Sequence, residues 1–108
     1  AVASRTPERA RAFADTYAAD GVLVNAVTPG GTASELWMDA GGMADQVAGR
    51  RGITREQAIA EQRAKIPLGR LADPGEIADV IVFLCSARSG AVTGAAWSAD
   101  GGSVQVII

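Results

Sequence analysis

Gly21-Val22-Leu23-Val24-Asn25-Ala26-Val27-Thr28-Pro29-Gly30 is the segment of the chain with the clearest strand character. Val22 to Val27 is short, mostly apolar and rich in β-branched side chains, bounded by Gly21 before it and by Thr28-Pro29-Gly30-Gly31 after it. A strand with one wet face would alternate polar and apolar residues. This run does not, so it predicts a strand buried on both faces, the kind found in parallel sheets.

Upstream, Thr6-Pro7-Glu8 combines a hydroxyl N-cap, a proline at the first helical position and an early acid, which together start a helix. Ala10, Phe13, Ala14, Tyr17 and Ala18 follow at helical spacing, making Tyr17 a core aromatic. The helix is expected to stop at Asp20-Gly21, where glycine suits a left-handed cap. Downstream, residues 28–53 are glycine-punctuated, with Leu36, Trp37, Met38, Met43 and Val47 showing no clean period; a loop with one or two short helices is expected. Thr54 with Gln57 forms a capping box for a further helix ending by Ile66, ahead of Pro67. Asp73-Pro74-Gly75-Glu76 is the strongest local signal, opening a helix whose stripe of Ile77, Val80, Ile81, Leu84 and Cys85 is expected to be buried. Ala95 to Ala99 reads as a second short strand closed by Asp100-Gly101-Gly102, followed by the apolar tail Val104 to Ile108.

The order helix, strand, helical crossover, strand is that of a βαβ unit with parallel strands. Two strands cannot bury both faces of a sheet, so apolar surface is expected at an open edge, as at the end of something larger. At 108 residues the chain has length for one small domain, or a piece of one. With 48% apolar and 20% charged residues it has a globular composition. A net charge of −2 with interspersed signs disfavours nucleic acid and membrane surfaces as partners. No apolar run approaches the ~20 residues of a membrane span. The basic start has no signal-peptide pattern, so a cytoplasmic location is expected. A single cysteine and no histidine leave no internal disulfide, no histidine-based triad or dyad and no cysteine or histidine metal cluster; no metal site is expected.

Three motifs together resemble the short-chain dehydrogenase/reductase family. The first is Gly21 to Gly30, similar to the family's strand that runs through an asparagine into a Pro-Gly loop beside the nicotinamide. The second is Ile66-Pro67-Leu68-Gly69-Arg70-Leu71-Ala72-Asp73-Pro74-Gly75-Glu76-Ile77-Ala78, continued by Val80 to Leu84 and Ser86, which resembles the approach to the family's last large helix. The third is Val92-Thr93-Gly94 followed by Asp100-Gly101-Gly102, similar to its final strand and closing turn. The resemblance runs from about residue 10 to 102 and implies an α/β fold: the C-terminal part of a Rossmann-type doubly wound parallel sheet, with its last two strands and crossover helices. It also implies one partial domain over 1–108, with a lid at about 34–66.

Ligands of open α/β sheets bind beyond the carboxyl ends of the strands, where Pro29, Gly30, Gly31, Thr32 and Ser34 leave the first strand. Pro29 fixes the exit, Gly30 and Gly31 permit close backbone approach, and Thr32 and Ser34 offer amides and hydroxyls to a carboxamide. The resemblance implies that this loop, with a hydroxyl at Ser34, orients the nicotinamide of NAD or NADP. It departs from the family at Thr32, where an apolar residue is more usual. The other reading is a plain Pro-Gly turn with Ser34 as an N-cap. Trp37, Met38 and Met43 fall in the family's variable substrate lid and would suit an apolar substrate; alternatively they simply pack on the body. Arg70 and Asp100 are expected to be structural, in a salt bridge or a turn.

Hydride transfer in this family uses a tyrosine acid, a lysine four residues later and a serine that polarises the substrate oxygen. Counted back from Gly21, the lysine falls near Ala3 and the tyrosine before residue 1; four residues after Tyr17 stands Gly21. No Gly-x-Gly-x-x-Gly phosphate loop occurs either. No catalytic residue is therefore assigned, and the chain alone is expected to be inactive. The full-length family implies a small carbonyl or alcohol substrate, and either a homo-oligomer or pairing with the missing N-terminal half. The alternative is a non-catalytic oligomerisation or interaction module derived from the family.

Overall fold

The computed structural model describes residues 7–105. The elements run α1 (Pro7–Ala18), β1 (Ala26–Pro29), α2 (Glu35–Met38), α3 (Met43–Arg51), α4 (Arg55–Ala64), α5 (Pro74–Cys85), a 3-10 turn (Ala87–Ser89) and β2 (Ala96–Ala99). β1 and β2 pair in parallel, with Ala26 opposite Ala96 and Pro29 opposite Ala99. The chain is therefore a partial α/β fold. Thr6, the expected first cap, and the end of the tail lie outside the described residues.

β1 starts four residues later than the apolar run suggested. At Val24 and Asn25, side chains carry the pairing beside a single backbone bond, from the Gly94 amide to the Val24 carbonyl at 2.7 Å. The Val24 amide donates to Thr93 Oγ1 at 3.1 Å, and Asn25 donates from Nδ2 to the Val92 carbonyl at 2.8 Å. Asn25 Oδ1 also accepts from the Ala95 amide at 3.1 Å. One amide thus fastens both sides of the loop before β2, and the continuous ladder begins where it ends, with the Ala26 amide donating to the Ala95 carbonyl.

Burial on both faces does not hold in this chain, whereas the exposed apolar surface expected of two strands alone does: Val22 is 46% exposed and Leu23 38%, because two strands about 4.8 Å apart are too narrow to be covered on each side. Among the described residues the buried apolar side chains are Ala14, Ala44, Ala48, Ala58, Ile66, Leu71 and Leu84, four of them alanines. The radius of gyration is 17.0 Å, against about 13 Å for a compact domain of this length.

The helices follow their caps. α1 ends as expected at Gly21 (φ 75°), with the Val22 amide donating to the Tyr17 carbonyl. Tyr17, however, is 40% exposed and stacks on Phe13 with centroids 4.7 Å apart, so it is a surface aromatic and not a core one. Both capping boxes form, Thr54 with Gln57 and Asp73 with Glu76. α5 buries Leu84 and half-buries Ile77 and Val80, while Ile81 and Cys85 are exposed. The expected stripe is thus narrower, because a two-stranded sheet supports one row of a helix. Phe83 reaches Trp97 of β2 at 5.6 Å between centroids.

Candidate functional site

The loop from Pro29 to Ser34 continues the strand before it turns away. Pro29 closes the β1–β2 register, and the Gly30 amide adds one more bond, to the Ala99 carbonyl at 3.1 Å. A Cβ on Gly30 would stand 2.6 Å from the Asp100 Cα and 2.9 Å from its carbonyl oxygen, so only glycine fits. The opposing wall is stiff. Asp100 accepts from the Gly102 and Val104 amides, both at 2.9 Å, while its carbonyl accepts from the Ser103 hydroxyl at 2.8 Å. Asp100 is thus a turn residue, as expected.

The next residues rest on the approach to α5. A Cβ on Gly31 would meet Leu71 Cδ2 at 2.9 Å and Ile66 Cδ1 at 3.1 Å. The Gly31 carbonyl accepts from the Ala72 amide at 2.9 Å, and the Ala33 amide donates to the Ala72 carbonyl at 2.8 Å, which makes Thr32 and Ala72 a parallel bridge. Ala72 is held in turn by the start of α5. Arg70 Nη1 and Nη2 donate to the two carboxylate oxygens of Glu76 at 2.6 and 2.7 Å, and Glu76 also accepts from the Asp73 amide at 2.8 Å. The Arg70 guanidinium first, then the Asp73 amide, pull the Glu76 carboxyl from its ordinary 4.5 down to about 2. Arg70 is raised by the same pair.

The two hydroxyls of the loop differ. Thr32 Oγ1 donates to the Gly30 carbonyl at 3.1 Å, a local bond that stiffens the turn and uses its proton. Ser34 occupies the N-cap position of α2, but its side chain makes no capping bond. The plain N-cap reading therefore holds for its position and not for its hydroxyl.

Trp37 and Met38 begin directly from this loop, since both of their amides donate to the Ser34 carbonyl at 2.9 Å. Both are half-buried, whereas Met43, at the start of α3, is 37% exposed. A separate apolar cavity of about 200 Å³ lies behind the loop between β2 and α5, lined by Leu68, Ala72, Ile77, Val80, Ala99 and Gly101, with Arg70 and Glu76. None of the loop or lid residues singled out from sequence lines it. Sequence reasoning missed Asn25 as a fastener, although a lone amide in an apolar strand is a signal. It also missed Ala72, which carries none. Among the described residues, no helix is long and apolar enough to cross a membrane.

Comparison with known proteins agrees over nearly the whole chain. A family model described as Enoyl-(Acyl carrier protein) reductase matches residues 7–104. The chain is 38% identical over 96 residues to 2-(S)-hydroxypropyl-CoM dehydrogenase 3 of Xanthobacter autotrophicus, which covers 89% of this chain and 34% of that protein. Among solved structures, a short chain dehydrogenase family protein from Francisella tularensis superposes with a TM-score of 0.83 at 29% identity, over 93% of this chain and 40% of that one. L-sorbose reductase from Gluconobacter frateurii, complexed with NADPH and L-sorbose, gives 0.79 at 25% identity, over 94% and 38%. The chain spans about a third of the length of the curated relatives it matches.

Proposed function

The chain belongs to the short-chain dehydrogenase/reductase family, and from that premise we propose that it carries the nicotinamide-side wall and substrate lid of an NAD(P)-dependent oxidoreductase acting on a carbonyl or secondary alcohol. One observation carries the proposal: the Ser34 hydroxyl, free of any capping bond, follows the carboxyl end of the β1–β2 pair, on a loop where Gly30 packs on the Asp100 backbone and the Gly31 carbonyl is bonded to the Ala72 amide. A rigid backbone with a hydroxyl to offer suits a planar carboxamide, which needs one donor and one acceptor. Pro29, Gly30 and Gly31 shape the wall and Ser34 supplies the side-chain contact. Thr32 contributes through its backbone, since its proton is engaged with Gly30. Residues 34–66 form the lid, with Trp37, Met38 and Met43 on the substrate side.

When bound, the cofactor would supply the hydride. The chain's own residues would orient the ring and exclude water from it; the proton donor would have to come from residues outside these 108. We assign no such role to Tyr17, which is exposed and stacked on Phe13 and has Gly21 four residues after it in place of the family's lysine.

A second reading has its own observation. Val22, Leu23, Ile81, Val82 and Trp97 are exposed around the strands and α5, a surface suited to pairing with a second copy or with the N-terminal half of a related chain. One preparation separates the readings. Purified chain is expected to show no NADH- or NADPH-dependent ketone reduction, and turnover would refute the assignment of the proton donor elsewhere. Sedimentation as a discrete oligomer with no nucleotide binding would favour the interaction module.

A further inference from the structure

The lid contains a polar fastening that the proposed cofactor wall does not use. α2 is a single helical turn, and the segment after it, Asp39 to Gly42, includes Gly41 at φ 77°. Little within so short a helix fixes its end, because its last carbonyls have no intrahelical partner. Arg55, the first residue of α4, supplies one. Its Nη2 donates to the Met38 carbonyl, while Nη1 lies 3.2 Å from both carboxylate oxygens of Asp45 on α3. Asp45 Oδ2 also accepts from the Gly41 amide at 2.7 Å, and Gln46 Nε2 donates to the Gly41 carbonyl at 3.1 Å. One guanidinium therefore ties α4 to α3 and to the end of α2, and the turn between them is held on both sides. The pair is about one-third exposed, and the Thr54 capping box fixes the backbone from which Arg55 projects.

We propose that Arg55 is the positioning residue of the lid: by joining the Met38 carbonyl to Asp45, it sets where Trp37 and Met38 stand above the Pro29–Ser34 loop. The inference rests on the reading of Trp37 and Met38 as lid residues. The two functions of the fork need planar, divergent donors, which arginine has. A lysine ammonium is a single point and would serve one partner at a time.

The test uses the full chain carrying Trp97→Phe, which leaves Trp37 as the only tryptophan. Arg55→Met is expected to speed amide exchange across 36–42 by about tenfold and to raise acrylamide quenching of Trp37 by about half, leaving 74–85 unchanged. Arg55→Lys should restore no more than about half of either effect. Asp45→Asn, which keeps volume and shape, should move both readouts in the same direction by less, and it stands in if Arg55→Met fails to fold. Unchanged quenching and exchange at 36–42, full rescue by lysine, or an even rise that includes 74–85 would overturn the proposal. Repeating the quenching with NADPH tests the underlying reading separately. Shielding of Trp37 supports the lid assignment, and its absence counts against that assignment while the positioning result stands.

Discussion

Between Ser34 and Ile66 the chain fixes itself by local means, whereas the strand pair depends on contacts between residues about seventy positions apart. In this stretch, the proposed lid, the Thr54 capping box spans three residues, and Asp45–Arg55 and Arg51–Glu61 each span ten. Ala44, Ala48 and Ala58 let α3 and α4 approach closely. In the platform, Asn25 reaches Val92 and Ala95, and β1 meets β2 only after the whole lid has been traversed. Val22, Leu23, Ile81, Val82 and Trp97 stay exposed there, whereas the residues that α3 and α4 bury are alanines. The difference teaches that local order and the candidate site have separate supports: the lid can form from short-range contacts, but the loop that would face a cofactor exists only if a costly long-range closure succeeds.

The sharpest way to break the platform is Gly30→Val. Its Cβ meets backbone, which cannot swing aside, so a loss of about 3 kcal/mol is expected, read as a lower urea midpoint, with exchange in 54–64 much less affected. Thr54→Ala breaks the lid instead. Losing its bond to the Gln57 amide should cost about 1 kcal/mol, with faster exchange confined to 51–60 and little change in β1. An equal response of both regions to either substitution would show that they unfold as one unit.

Much of this division was legible in the sequence because it depends on caps. Thr54 with Gln57, Asp73 with Glu76 and Gly21 each declare a helix end by local chemistry, and all three appear as read. The two parallel strands and the Pro-Gly exit were also readable. What failed concerned burial. Cys85 and Ile81 share the helical stripe with Leu84, but which part of a stripe is covered depends on the width of the opposing sheet, and periodicity does not encode that width. The start of β1 was missed because the Asn25 and Thr93 side chains take over most of the pairing before Ala26 from across the fold. The candidate loop was legible in residue type. That Thr32 spends its proton on Gly30 while Ser34 leaves α2 uncapped required coordinates.

The smallest expected effect is on pH dependence at the support of the loop. Glu76, drawn down to about 2 by Arg70 and the Asp73 amide, contributes stability that is complete above its ordinary 4.5 and is lost as pH falls towards the lower value. Thermal melts across that interval should show an acid limb that Glu76→Gln flattens. Because the pair is exposed, the limb should be shallow and should shrink further in high salt.

Contact between the Pro29–Ser34 loop and nicotinamide underlies the proposed function. Saturation-transfer NMR on the purified chain with NADPH tests it most directly, since weak, partial contact is enough for a signal. Saturation is expected to reach the nicotinamide ring protons ahead of the adenine protons, and to be lost in Ser34→Ala. Saturation confined to adenine, or a nicotinamide signal indifferent to Ser34, would contradict it.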